Sequence, residues 1–230
     1  MSQNFSGPCP VCGGTTFSSA SVLWPELINA WQLADYETAY INRQQGVSCN
    51  SCHNNLRAMA LGAAILRRRG QGGTLEAFCA SGDAVSIVEI NTAGNLTATL
   101  RKLAGHRLVS YPEYDMMDLS IDSESVDVVI HSDTLEHIPV PIRALSECRR
   151  ILRPKGCCIF TVPVIVDRLS RSRDGLVSSY HGQSGVPADD QMVYSEFGAD
   201  FWKCVLQAGF SSCEIFCFEF PSALAIIAEK

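Results

Sequence analysis

No stretch of this 230-residue chain comes near 18 consecutive apolar residues, so no segment reads as a membrane-spanning helix. The opening MSQNFSGPCP lacks the charged start and apolar run of a secretory leader, so the chain is expected to stay inside the cell. Basic residues are in short supply: 18 Lys and Arg against 24 Asp and Glu leave a net charge of -6. That balance lacks the basic footprint of a nucleic-acid binder and disfavours DNA or RNA as substrate. G-x-G-x-x-G is absent, which argues against a dinucleotide-dependent dehydrogenase. Cysteine, by contrast, is plentiful. Eleven is an odd number and no leader precedes them, so they do not read as a disulfide framework. A reducing cytoplasm is the expected compartment, and clustered cysteines there bind metal or carry chemistry. Oligomeric state has no signature in the sequence.

Four of the cysteines form two C-x-x-C pairs, Cys9-Pro-Val-Cys12 and Cys49-Asn-Ser-Cys52. Four thiolates complete a closed tetrahedral zinc site with no open position, so the expected zinc is structural. Gly13 and Gly14 follow the first pair, where the chain must turn sharply. The alternatives are two unrelated cysteine pairs or a C-x-x-C redox motif, and no thioredoxin-like strand and helix surround the latter. Between the pairs, apolar residues at Leu27, Ile28, Trp31, Leu33 and Ala34 predict one helix over Pro25 to Tyr40. A second helix, Arg57 to Arg69, ends in a basic turn and Gly70. The module with this helix is taken as residues 1–70, Gly70 to Gly73 as linker, and 74–230 as the main domain.

From residue 74 short apolar runs alternate with helical stretches, the pattern of βαβ units and a parallel sheet. Strands are expected at Ser86–Ile90, Leu108–Tyr111, Val126–His131 and Cys157–Val162. Helices are expected at Asn95–Leu103, Pro141–Leu152 and Ala199–Ala208, with a closing hairpin over Ser212–Phe220 and Ala223–Ala228. Ligands of such sheets bind beyond the carboxyl ends of the strands. Three segments there carry candidate chemistry. Glu89-Ile-Asn-Thr-Ala-Gly94 can hold a ligand's amino and carboxylate groups at a helix start, or be an ordinary strand-turn-helix. Acidic residues in Tyr111–Asp118 can accept from ribose hydroxyls or an adenine amino group, or form a solvated loop. His131-Ser-Asp-Thr-Leu-Glu-His137 crowds polar residues at the end of the most hydrophobic strand, which favours a functional role.

VDVVIHSDTLEHI followed by RALSECRRILRPKGCCIFTVPV resembles the fourth- and fifth-strand region of class I methyltransferases of the "methyltransferase type 11" kind, over about residues 85 to 165. The resemblance implies an α/β fold, a Rossmann-like class I sheet preceded by the small zinc-binding module, and S-adenosylmethionine as cofactor. By position it implies Glu89, Asn91 and Gly94 as the first cofactor loop, and Asp118 beside the adenine. His131 and Ser132 would line the methionine portion, with Glu136 and His137 at the edge of the substrate pocket. Two departures stand out. Asn91 replaces the first glycine of the family's E-x-G-x-G-x-G loop, and Ala93 and Asn95 hold the other two glycine positions. Only four residues separate Glu113 from Asp118, so the ribose- and adenine-side carboxylates come from one shortened loop.

The expected function is methyl transfer to a small-molecule acceptor, a metabolite, sugar or natural-product intermediate. His137 and His181 are the candidate general bases, since an imidazole pKa near 6.5 suits the task. The competing reading is an inactive methyltransferase-like protein that docks a partner through its zinc module. The segment Val164 to Glu196 is expected to form a lid, with Arg168, Arg171 and Arg173 able to hold a carboxylate or phosphate and His181 facing the pocket.

Overall fold

A computed structural model describes residues 5–180 and 191–230. The chain opens with two tight turns carrying the C-x-x-C pairs, joined by the short antiparallel strands β1 (Phe17–Ser18) and β2 (Ser48–Cys49). At Gly14 a Cβ would meet Ser51 Oγ at 2.7 Å and Cys49 Sγ at 2.9 Å, so only glycine lets the two turns approach. Between β1 and β2 run α1 (Pro25–Ala30) and α2 (Asp35–Gly46). The single helix expected over Pro25 to Tyr40 is thus two. Gln32 adopts φ 49 and breaks it, and Asp35 and Glu37 open a new first turn. The apolar rhythm ran through the break because Leu27, Trp31 and Leu33 all pack into one small cluster with Ile165 and Val193.

Helix α3 (Leu56–Arg69) is capped by the Asn55 side chain and closes on Gly70, close to expectation. The segment Leu75–Gly82 contributes α4 (Leu75–Ala80), capped by Thr74. The alternation that follows is β3 (Ile87–Ile90), α5 (Leu96–Leu100), β4 (His106–Val109), β5 (Val126–Ser132), α6 (Pro141–Ile151) and β6 (Leu152–Thr161). Small strands β7 (Val164–Ile165), β8 (Arg171–Ser172) and β9 (Ser195–Gly198) form a separate three-stranded sheet. Helix α7 (Trp202–Gln207) and the hairpin β10 (Ser212–Glu219) and β11 (Ala223–Glu229) complete the chain.

The main sheet has the order β10-β11-β6-β5-β3-β4. Strands β4, β3, β5 and β6 are parallel, and β11 joins β6 antiparallel. Strand order therefore reverses between β3 and β5. The strands read as near-continuous apolar runs because helices cover both faces. One core unites α3, α4 and α5 with one face of the sheet, and it includes Cys9, Val11 and Cys49. The other holds α6 and α7. Side chains along β3 alternate between them: Ile87 joins the first core, Val88 and Ile90 the second. This is the doubly wound α/β sheet expected from the sequence. Among the described residues no helix is long and apolar enough to cross a membrane.

Candidate functional site

A cavity of about 830 Å³ lies over the carboxyl ends of β3 and β5, where strand order reverses. This is the place where open α/β sheets bind ligands. Its floor is Ile90, Asn91 and Thr92 at the end of β3, Ser110 and Tyr111 after β4, and Ser132 to Thr134 at the end of β5. Its roof is the insert between the two cysteine pairs, with Leu23, Trp24, Leu27 and Leu33 facing in.

Asn91 sits where the resemblance expects a glycine, at φ 55. Asparagine is among the few residues that take this left-handed conformation readily, so the turn survives the loss of glycine. The Asn91 amide oxygen also accepts from Tyr111 N at 3.2 Å, tying the β3 and β4 tips together. Gly94, at φ 60, completes the turn without reaching the cavity wall.

Glu89 is fully buried and points away from the cavity, into the α5 face. Its carboxylate accepts from Ala93 N (2.8 Å), Thr97 Oγ1 (2.5 Å) and His106 Nε2 (2.7 Å). It therefore braces the first loop from beneath, where the sequence reading had it touching cofactor.

On the other side of the switch, Asp133 forms an ion pair with Arg57 from the first turn of α3. Burial pulls the Arg57 pKa down to about 10, with the neighbouring Glu136 carboxylate opposing the shift. Glu136 is 1% exposed, lines the cavity, and leaves Oε2 without a partner among the described residues. Burial raises its pKa, and the Arg57 charge pulls the other way. Beside it His137 lies at the cavity wall, its Nδ1 3.1 Å from the Met192 carbonyl and its Nε2 3.6 Å from Glu136 Oε1.

Of the residues singled out in the sequence, the structure brings Asn91, Ser132, Glu136 and His137 together around one cavity. Ser132 shares a hydrogen bond with Thr161 at 2.8 Å. Glu113 and Asp118 are exposed and stand off the wall, while Asp115 from the same loop lines it. His131 is wholly buried and stacks on Phe160 with centroids 4.5 Å apart, so it too lies off the wall. Burial lowers its pKa to about 3, which keeps the ring neutral. His181 lies outside the described residues. Arg57 is the functional candidate the sequence pattern did not single out, whereas Asp133 lay within the polar His131–His137 segment without a role of its own.

The three arginines expected to hold an anion are committed elsewhere. Arg168 donates to Glu37 and to the Trp31 and Gln32 carbonyls. Arg171 and Arg173 both pair with Glu196, which is 4% exposed. These pairs anchor the roof and the β7-β9-β8 sheet rather than presenting cations to a ligand.

The four cysteines converge as expected. Cys9, Cys12, Cys49 and Cys52 place their sulfurs within 4.8 Å of one another. Cys9 and Cys52 are 3.7 Å apart, and Cys12 and Cys49 3.6 Å. Zinc–sulfur bonds of about 2.3 Å in a tetrahedron require sulfur separations of roughly 3.8 Å, so the donor set fits that ion. Burial raises the Cys9 thiol pKa, and it raises Cys12 to about 11. At Cys49 burial pushes the same way, but N–H groups of Cys52 and Ser51 and the neighbouring thiols outweigh it and bring it to about 7.

The family described as "Methyltransferase domain" matches residues 69–160, which leaves the cysteine cluster and nearly all of α3 outside. A demethylmenaquinone methyltransferase of Clavibacter sepedonicus is 33% identical over 99 residues, 42% of this chain and 40% of that protein. The chain thus spans well under half the length of that relative. Among solved structures, a Burkholderia thailandensis 1,6-didemethyltoxoflavin-N1-methyltransferase with bound 1,6-didemethyltoxoflavin and S-adenosylhomocysteine is 15% identical, covering 93% of each chain at a TM-score of 0.47. A possible histamine N-methyltransferase of Thermotoga maritima is 16% identical, covering 68% of this chain and 87% of that one at 0.39.

Proposed function

We propose that this chain, whose residues 69–160 match the methyltransferase-domain family, is a class I S-adenosylmethionine-dependent methyltransferase acting on a small molecule held under its N-terminal roof. The observation that carries this reading is the cavity at the β3/β5 switch, whose volume is within the usual range of about 300–1,000 Å³ for small-ligand pockets. Bound S-adenosylmethionine supplies a methyl group activated on a sulfonium. The residues that would hold it follow from the chemistry of the wall. Asn91, Thr92 and Ser132 offer backbone and side-chain hydrogen bonds to the amino-acid end. Arg57 suits its carboxylate and Asp133 its ammonium, so the ion pair present in the structure opens to admit a zwitterion of the same two signs. Tyr111, Tyr114 and Asp115 offer surfaces for the adenosine. Glu89 acts on the site indirectly, by fixing the loop. His137, at the edge of the cavity, is retained as the candidate base together with His181.

The cysteine cluster would hold one structural zinc ion and so position α3, whose first turn begins four residues after Cys52 and delivers Arg57 to the cavity. Calorimetry with S-adenosylmethionine and S-adenosylhomocysteine tests the reading. Both should bind one per chain, and Arg57→Met should weaken them about ten-fold or more through loss of a charge-assisted hydrogen bond. No binding by the wild-type protein would sink the assignment.

A further inference from the structure

The cavity has a second half, beyond the strand tips that serve the cofactor, and its chemistry is uneven. One side is apolar: Trp24, Leu27 and Leu33 of the roof face Pro163 and Ile165. Trp31 lines this side as well, and Val193 packs behind it. The opposite side is Glu136 and His137. Charged side chains on the whole wall, among the described residues, are Arg57, Asp115, Asp133 and Glu136, three carboxylates against one guanidinium. That guanidinium already pairs with Asp133. Nearby Arg168, Arg171 and Arg173 are bound to Glu37 and Glu196 and do not line the cavity.

An anionic ligand placed here would meet carboxylates without a free cation to offset them, and burying an unpaired charge is costly. An apolar or aromatic body fits the roof side by area burial and ring contact. The polar feature that lacks a partner is the Glu136 carboxyl. It is nine-tenths buried, its Oε2 is unpaired, and an unmade hydrogen bond at such a group is expensive. The groups facing it are Arg57 from α3, His137 in its own turn and, before β9, Tyr194, whose N–H donates to the Glu136 carbonyl at 2.8 Å. None of these satisfies Oε2.

Taking the methyltransferase reading as its basis, we propose that the acceptor is an uncharged molecule with an apolar, aromatic-compatible body, and that Glu136 anchors it through a hydroxyl or amine hydrogen-bond donor. Acceptors bearing a carboxylate or phosphate are excluded from this half of the cavity. His137 flanks the anchor, and Trp24 and Leu27 press the body of the acceptor from above.

Calorimetry on protein preloaded with S-adenosylhomocysteine tests this with two probes of one shape, 4-phenylphenol and biphenyl-4-carboxylate. The phenol should bind at least ten-fold more tightly than the carboxylate. Glu136→Ala should lose ten-fold or more of that phenol affinity while its S-adenosylhomocysteine affinity and thermal unfolding stay close to wild type. Trp24→Ala should weaken the phenol without altering cofactor affinity, which keeps the test open if the Glu136 variant folds poorly. Equal or tighter binding of the carboxylate, or phenol affinity unchanged in both variants, overturns the proposal. So does failure of the phenol to bind cofactor-loaded protein. Failure of S-adenosylhomocysteine itself to bind strikes the methyltransferase reading instead.

Discussion

Replacing Glu89 separates two accounts of the first loop. A carboxylate touching cofactor would cost affinity when removed; a carboxylate bracing the loop from beneath costs stability. In the structure its three donors are Ala93 N, Thr97 Oγ1 and His106 Nε2, all inside the protein. Glu89→Ala leaves Ala93 N satisfied, because it also donates to Thr97 Oγ1 at 3.0 Å. The Thr97 hydroxyl and the His106 ring lose their acceptor. At about 1–3 kcal/mol for each buried donor left unpaired, the loss is roughly 3–5 kcal/mol once the vacated volume is included. Against a total stability of about 5–15 kcal/mol this is large. In a chain of this size it lowers the unfolding temperature by roughly 6–20 °C. Glu89→Gln keeps the shape and one acceptor oxygen, and should cost about 1 kcal/mol. Thermal unfolding of both variants measures the first quantity. Calorimetry with S-adenosylhomocysteine, well below their melting temperatures, measures the second and should show affinities within about three-fold of wild type. The reasoning is refuted if Glu89→Ala melts with the wild type and loses affinity.

Purified protein should carry one zinc per chain by mass spectrometry; Cys52→Ser should lose it and unfold at lower temperature, and full stability of metal-free protein would count against the site. His131 is buried neutral with its pKa depressed to about 3, below an unfolded value near 6.5. Its contribution to stability is therefore complete above about pH 6.5 and lost as pH falls toward 3, amounting to about 2 kcal/mol at pH 5. Denaturant titrations of the wild type and His131→Leu across that window should show the slope in the first and a reduced slope in the second. Glu196→Gln leaves Arg171 and the 8%-exposed Arg173 side chain short of their shared partner. It should destabilise by about 3–5 kcal/mol in urea, and a loss under 1 kcal/mol would show that the pairs are dispensable.

What the sequence made legible was chemistry carried by near neighbours in the chain. The C-x-x-C pairs announce their cluster because each pair fits one turn. The Val126–Ser132 strand announces itself through its apolar run from Val128 to Ile130. The altered first loop was visible as a departure, and the left-handed Asn91 explains how it keeps the turn. What stayed hidden are contacts across long stretches of chain. Arg57 and Asp133 are 76 residues apart, and Glu37 and Arg168 131 apart. Nothing local in either member reveals its partner. Arg57 did leave one trace: a lone cation in the first turn of an apolar helix, where the dipole disfavours positive charge. The direction of Glu89 was hidden for another reason. Alternation along a strand buried on both faces names two sides without saying which one meets the ligand.

The roof departs at Ser18 and returns at Ser48, residues paired with each other, so its two ends stand side by side on the cysteine turns. Glu37, which pairs with Arg168, and the Trp31 cluster fix this segment to the floor; its other positions can change length or composition while the strand tips beneath keep their register, because the closure cost of a loop grows slowly with its length. The chain is thereby divided into two parts, a floor of strand tips and a cassette above it. Transplanting residues 19–47 between chains that share the four cysteines is then a route to new acceptors that leaves the floor untouched.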